Sequence, residues 1–173
     1  HIMNVGIVGL GVVGSAVRYG LEKLGHNVVG HDIALGTNIE DLVGTEIVFL
    51  CVPTPPSEDG SCDTSIVKNV IEDLHKLDYS GVIAIKSTVS PGTTQDLIDK
   101  YNNYSICFVP EFLRERCASV DFVENHDVCI IGTNNKDAQT VIKEVHGKLP
   151  KSVISVSPTE AELAKYYNNI YNA

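Results

Sequence analysis

The chain has 173 residues, 43% of them hydrophobic, and a formal charge of −9. That length supports one well-buried domain and not two full ones, and the acidic balance argues against a nucleic-acid partner, whose phosphates need a basic face. No apolar run approaches the roughly 20 residues of a membrane span and no signal peptide is visible, so a cytoplasmic protein without a membrane partner is expected. His1-Ile2 ahead of Met3 reads as a cloning remnant and carries no fold argument.

Residues 4–32, NVGIVGLGVVGSAVRYGLEKLGHNVVGHD, read as strand, tight turn, helix, turn, strand. Val5, Ile7 and Val8 form the short apolar run of a strand buried on both faces. Gly9-Leu10-Gly11-Val12-Val13-Gly14 then gives the G-x-G-x-x-G pattern. It opens a helix whose apolar face is Val13, Ala16, Val17, Leu21 and Leu24. The pattern alone marks no more than a glycine-rich turn. With the strand before it, the helix after it and Asp32 ending the next strand, it predicts a dinucleotide site. Gly9 permits the turn, Gly11 lets the backbone approach a pyrophosphate, and Gly14 lets helix and strand pack closely. The helix amino end offers free N–H groups to the phosphates. Asp32 suits ribose hydroxyls and would repel a 2′-phosphate, and no Arg follows it closely, so NAD is favoured over NADP.

Residues 38–42 can form one helical turn, and residues 46–52 form a third strand, stopped by Pro53-Thr54-Pro55-Pro56. Asp59-Gly60 marks a turn, and Asp63 is read as the cap of a helix carrying Ile66, Val67, Val70, Ile71 and Leu74. A fourth strand (81–86) runs into Ser87-Thr88-Val89-Ser90-Pro91, and a helix reaches Tyr101. A fifth strand (105–109) runs into Pro110-Glu111-Phe112-Leu113-Arg114-Glu115, and a sixth covers 127–131. A helix carrying Ala138, Val141, Ile142 and Val145 follows, then a short strand at 153–156. Ser157-Pro158-Thr159-Glu160 has capping-box form and starts a helix without a stop signal.

This alternation predicts an α/β, doubly wound, mainly parallel sheet (Rossmann-like), a single domain ending in the start of a connecting helix. In a parallel sheet the loops leaving strand carboxyl ends share one edge, where ligands bind. Loops 9–14, 53–56, 86–91 and 110–115 should therefore converge. Singly, each is also ordinary loop chemistry: Thr88 as a helix cap, Glu111 and Glu115 as a solvated face, 53–56 as a rigid turn. The expected cofactor-binding residues are Gly9, Gly11, Val12, Val13, Gly14 and Asp32, with Val52, Pro53, Thr54, Ser87 and Thr88 from the next two loops.

The five cysteines show no C-x-x-C spacing and are odd in number, so neither a metal site nor a disulfide framework is expected. Cys51, Cys107 and Cys129 fall in apolar strands, while Cys62 and Cys117 lie in loops without an activating partner in view.

The motifs GIVGLGVVG, HDI, CVPTP, DGSCD, KSTVSPGTT, PEFLRE and AELAKYYNN span nearly the whole chain, and on them it resembles the amino-terminal domain of the UDP-glucose 6-dehydrogenase and GDP-mannose dehydrogenase family. The resemblance implies oxidation of a nucleotide-sugar C6 alcohol to a carboxylate in two NAD-dependent steps, through cysteine-bound intermediates. It implies that Thr88 and Glu115 position a water or move protons, that Glu111 lies beside them, and that Lys165 and Asn169, on one helix face, stabilise charge on oxygen. Two departures are Val109 and Arg116, where the family often has Asn and Gly. Nothing matches the family's catalytic-cysteine motif.

Residues 3–157 are therefore expected to be the NAD-binding domain, and 158–173 the start of a central helix leading to a missing substrate domain. On this reading the chain is an excised or truncated cofactor domain, inactive alone, of an enzyme acting on UDP-glucose, or else a degenerate short homologue. The alternatives are GDP-mannose or UDP-N-acetylmannosamine as substrate, a hydroxyacid dehydrogenase of the 3-hydroxyisobutyrate or 6-phosphogluconate kind, and a stand-alone NAD-binding module. A homodimer is expected in the full-length enzyme, and the apolar side of the last helix (Leu163, Tyr167, Ile170, Tyr171) offers a surface for another chain.

Overall fold

The structure, a computed structural model, describes the backbone of residues 1–171 and the side chains of residues 1–169. Strand β1 (Asn4–Val8) leads into helix α1 (Val12–Lys23) and strand β2 (Asn27–His31). Two short 3-10 turns, Ile33–Leu35 and Ile39–Leu42, precede β3 (Ile47–Leu50). Then follow α2 (Ser65–Lys76), β4 (Val82–Ile85), α3 (Thr93–Tyr101) and β5 (Ile106–Phe108). A 3-10 turn (Glu115–Cys117) and α4 (Ala118–Val123) lead to β6 (Val128–Gly132), α5 (Lys136–His146), β7 (Ser152–Val156) and α6 (Pro158–Tyr171).

The strands form a seven-stranded sheet in the order β2-β1-β3-β4-β5-β6-β7. Strands β1 to β5 are parallel, and β3, β4 and β5 are buried along their whole length. Alternation sorts their side chains into two core layers. Val48, Leu50, Ile83 and Ile85 pack with Val67, Ile71 and Leu74 of α2 on one face. Ile47, Phe49, Val82 and Ala84 pack with Val17 and Leu21 of α1 and Ile142 of α5 on the other. This is the doubly wound arrangement that the alternating elements require.

Strand β6 departs from a wholly parallel sheet: it pairs antiparallel with β5 through Phe108 and Gly132, and β7 then pairs parallel with β6. The β5–β6 connection holds an α-helix, α4, of only six residues, about 9 Å, in place of a long crossover helix. The loop is also folded on itself, because the Arg114 guanidinium donates to both Asp121 oxygens at 2.8 and 3.0 Å. The missing side chain at Gly20 of α1 leaves room for the Phe122 ring of α4. The chain thus re-enters the sheet from the carboxyl edge. Neither α4 nor this reversal is visible in apolar periodicity, since a six-residue helix spans less than two turns.

Helix starts match their sequence signals with one shift. Ser157 and Glu160 form the reciprocal capping box: Ser157 N donates to Glu160 Oε1 at 3.0 Å and Glu160 N to Ser157 Oγ at 3.2 Å. At α2 the cap is Thr64, and Asp63 instead accepts from Ser65 N at 2.9 Å. Helix α6 is pinned across the fold by Glu162, which is fully buried and accepts from Gly92 N, Thr94 N and Thr94 Oγ1 at 2.9 to 3.0 Å. On its apolar side Leu163 is half-buried and Tyr167 exposed, while the side chains of Ile170 and Tyr171 lie outside the described residues. No helix among the described residues is long and apolar enough to cross a membrane.

Candidate active site

The carboxyl ends of β2, β1, β3, β4 and β5 lie side by side, so Asp32 and the loops starting at Gly9, Cys51, Lys86 and Val109 follow one another along one edge. The chain turns outward in both directions from β1, which makes the β1/β3 gap a topological switch point.

The glycine loop fits a dinucleotide. Gly9 has φ +90, and a Cβ there would meet the Cys51 carbonyl at 2.7 Å. A Cβ on Gly14 would collide with the Gly9 carbonyl, so only glycine lets α1 start this close to the turn. A Cβ on Gly11 would meet nothing within 4 Å, leaving an open cradle in front of the helix. Gly11 provides no side-chain cap, and the first helical bond runs from Ser15 N to Gly11 O. The amides of Val12, Val13 and Gly14 therefore point toward that cradle, with the positive end of the helix dipole behind them. Asp32 does structural work here too. Its Oδ2 accepts from Leu10 N at 2.9 Å and its Oδ1 from Ala34 N at 3.0 Å, tying the end of β2 to the glycine loop. The Leu10 bond, then the Ala34 bond, holds its carboxyl below the ordinary aspartate value. Each oxygen keeps acceptor capacity for a ribose hydroxyl.

Beside this loop lies a cleft of about 380 Å³. Val13, Val52, Pro53, Thr54, Ser87, Thr88, Glu111, Glu115 and Lys165 all line it. Four segments distant in sequence thus meet with α6. Asn169 stands one turn beyond Lys165 at an exposed position and is not among the lining residues. Ser87 is buried and its hydroxyl donates to the Val52 carbonyl at 2.7 Å, so it fixes the shape of the β3 exit.

The floor of the cleft is charged. Lys86, at the end of β4, is 1% exposed at its side chain, and its ammonium stands 2.5 Å from Glu111 Oε2 and 5.4 Å from the centre of the Phe49 ring. Burial works against the Lys86 charge, but the Glu111 carboxylate holds it above the ordinary lysine value. From α6, Lys165 Nζ donates to the Glu111 backbone carbonyl at 2.6 Å and lies over the Phe112 ring. Burial lowers its pKa, with Glu111 opposing. Lys86 is the participant that sequence reasoning passed over. The available signal was a lysine closing an otherwise apolar strand, GVIAIK, where a charge needs a partner. Cys51 also lines the cleft, but burial pushes its thiol up to about 12, which leaves it protonated and a poor nucleophile. Burial raises Cys107 and Cys129 to about 11. Among the described residues no group of three or more His, Cys, Asp or Glu is placed to hold a metal ion.

Residues 33–150 match the NAD binding domain of the UDP-glucose/GDP-mannose dehydrogenase family. The UDP-glucose 6-dehydrogenase AglM of Haloferax volcanii is 31% identical, over 89% of this chain and 40% of its own length. The UDP-glucose 6-dehydrogenase of Rickettsia bellii is 34% identical, over 78% and 32%. A solved UDP-glucose dehydrogenase from Pyrobaculum islandicum superposes with a TM-score of 0.88 at 27% identity, covering 99% of this chain and 50% of that one. The chain thus spans half or less of the length of these relatives. GDP-mannose dehydrogenase from Pseudomonas aeruginosa, with a TM-score of 0.85 at 24% identity, shares the fold.

Proposed function

Since the chain belongs to the UDP-glucose/GDP-mannose dehydrogenase family and forms its NAD-binding domain, we propose that it is the cofactor-holding part of an enzyme oxidising the C6 alcohol of UDP-glucose to the carboxylate. The observation that carries this reading is the meeting of Thr88, Glu111, Glu115 and Lys165 in one cleft beside the glycine loop. Bound there, NAD would accept the hydride leaving the sugar carbon.

The amides of Val12, Val13 and Gly14 would hold the pyrophosphate, Asp32 the adenosine ribose, and Val52, Pro53, Thr54, Ser87 and Thr88 would wall the path to the nicotinamide. The Lys165 ammonium, already desolvated, suits an oxygen on which negative charge develops. Thr88 and the exposed Glu115, both lining the cleft, would orient a water and move its proton. Asn169 would join them from the next turn of α6. Oxidation to the acid level also needs a thiolate. Buried Cys51, Cys107 and Cys129 do not supply one, Cys62 and Cys117 do not line the cleft, and we assign that role to a cysteine from the rest of the enzyme. In this scheme residues 3–157 are the cofactor domain, and the helix from 158 leads toward a substrate domain and a homodimer contact.

Calorimetric titration tests the reading. NAD should bind and NADP bind more weakly, while the 173-residue chain alone should form no NADH from UDP-glucose. Adding the remaining portion of the enzyme should bring turnover that depends on Thr88, Glu115, Lys165 and Asn169. Equal or tighter NADP binding would overturn the role of Asp32. Steady turnover by this chain alone would move the nucleophile to one of its own cysteines. Turnover of GDP-mannose or UDP-N-acetylmannosamine instead would correct the substrate, and NAD binding without turnover by the completed enzyme would favour a non-catalytic module.

A further inference from the structure

We propose that Lys86 is a positioning residue of this cleft: its buried ammonium anchors the Glu111 side chain, and the Glu111 carbonyl in turn seats Lys165. The proposal deepens the dehydrogenase reading and rests on it for its functional meaning. The three groups form a chain from the core to α6. Lys86 Nζ stands 2.5 Å from Glu111 Oε2, and Lys165 Nζ stands 2.6 Å from Glu111 O. Glu111 is therefore gripped at both ends by lysines from elements 25 and 54 residues away.

Lys86 is not itself placed to meet a substrate, because its side chain is 1% exposed. Its ammonium has few other partners: the Val109 carbonyl at 3.5 Å and the Phe49 ring. Among the described residues no other ammonium or guanidinium pairs with the Glu111 carboxylate; Lys165 is held at the Glu111 backbone carbonyl instead. The titratable groups felt by Lys86 and Glu111 are Cys51 on β3, Cys129 on β6, His126 just before β6, His146 on α5 and Lys165 on α6. Burial keeps the two thiols and two imidazoles neutral at neutral pH, pushing the thiols up to about 12 and 11 and holding His126 below the ordinary histidine value and His146 down to about 3. A carboxylate as buried as Glu111, 7% exposed, does not stay put without a cation. Without Lys86 it must take up a proton or swing toward solvent. Either response disturbs residues 110–112, whose carbonyl at Glu111 holds Lys165. The Lys86 role is thus exerted at a distance, through one backbone carbonyl.

Nitrogen-15 NMR of lysine ammonium groups tests the first link in this chain of contacts. The intact protein should show a slowly exchanging Lys86 ammonium signal, and Glu111→Gln should abolish it. Acylation of lysine amines, followed by mass spectrometry, tests the second link. Lys86→Met should raise Lys165 labelling by at least about tenfold, the scale of one lost hydrogen bond to a charged group, with exposed Lys143 unchanged. Lys86→Arg should restore part of the protection. A general loosening of the fold would raise labelling at many lysines alike. An unaltered Lys86 signal in Glu111→Gln, or unaltered Lys165 labelling in a folded Lys86→Met, overturns the proposal. Should Lys86→Met fail to fold, the Glu111→Gln spectrum decides. None of these readouts uses NAD, so failure of the NAD titration would sink the functional reading without touching this one.

Discussion

The glycine loop and the charged floor of the cleft lie on the same sheet edge, yet they are built on opposite principles. Residues 9–32 are contiguous, and their site consists of backbone: amides at a helix start, space where side chains are missing, and one carboxylate that also braces the turn. The Lys86–Glu111–Lys165 cluster is assembled from β4, the loop after β5, and α6, and it consists of side-chain charge removed from water. A backbone site tolerates changes of charge nearby but not an added methyl. A buried-charge site tolerates small changes of shape but not the loss of one partner.

Substitutions can break or sharpen that contrast. The largest effect is expected for Lys86→Met, which strands a buried carboxylate and should lower the unfolding free energy in urea by about 3–5 kcal/mol. Lys86→Met/Glu111→Leu, with both charges gone, should recover most of that loss. A smaller loss, about 1–3 kcal/mol, is expected for Gly14→Ala, whose methyl meets the Gly9 carbonyl. Its larger consequence should be the disappearance of measurable NAD binding by calorimetry, since the loop must shift to make room. Lys86→Met should weaken NAD far less, because the cradle is backbone; equal losses in the two variants would erase the distinction. Glu162→Ala removes the acceptor for the amides opening α3 and should cost about 1–3 kcal/mol by urea unfolding. It should also raise amide exchange at Gly92 and Thr94.

The smallest expected effect is one of pH dependence. The Arg114 guanidinium and its own amide hold the Asp121 carboxyl well below the ordinary aspartate range. A depressed native pKa gives stability that is present above the unfolded-state value and lost as pH falls through the native one. Urea midpoints of the wild type should therefore drop below about pH 4, and Asp121→Asn should flatten that slope. Arg114 is 56% exposed, so salt should reduce the difference.

Much of the fold was legible because its signals are local. The apolar runs of β1, β3, β4 and β5, the Ser157–Glu160 box and the glycine pattern each lie within a few residues, and each formed where its own periodicity or cap required. The antiparallel entry of β6 was not legible, since the six-residue α4 before it leaves no helical period and packs its Phe122 on Gly20, about a hundred residues away in the chain. The same distinction runs through the site. Thr54, Thr88, Glu111 and Glu115 share one cleft because parallel strands bring their carboxyl ends to one edge, Lys165 joins them from α6, and Gly11 lies outside the cleft lining. The place of Lys86 in the cleft, and the standing of Asn169 outside its lining, depended on side-chain directions that loop order does not specify.

The sequence by itself determined the alternation of strands and helices, the edge on which polar loops gather, and the glycine cradle with its acid, because all three follow from backbone sterics and short-range periodicity. The tertiary structure alone decided which charges are buried and with whom. Lys86 and Glu111 are separately ordinary residues of a strand end and a loop. They became a tightly held pair only when packing excluded water from both, and a cost of desolvation that depends on every neighbour cannot be read from spacing along the chain.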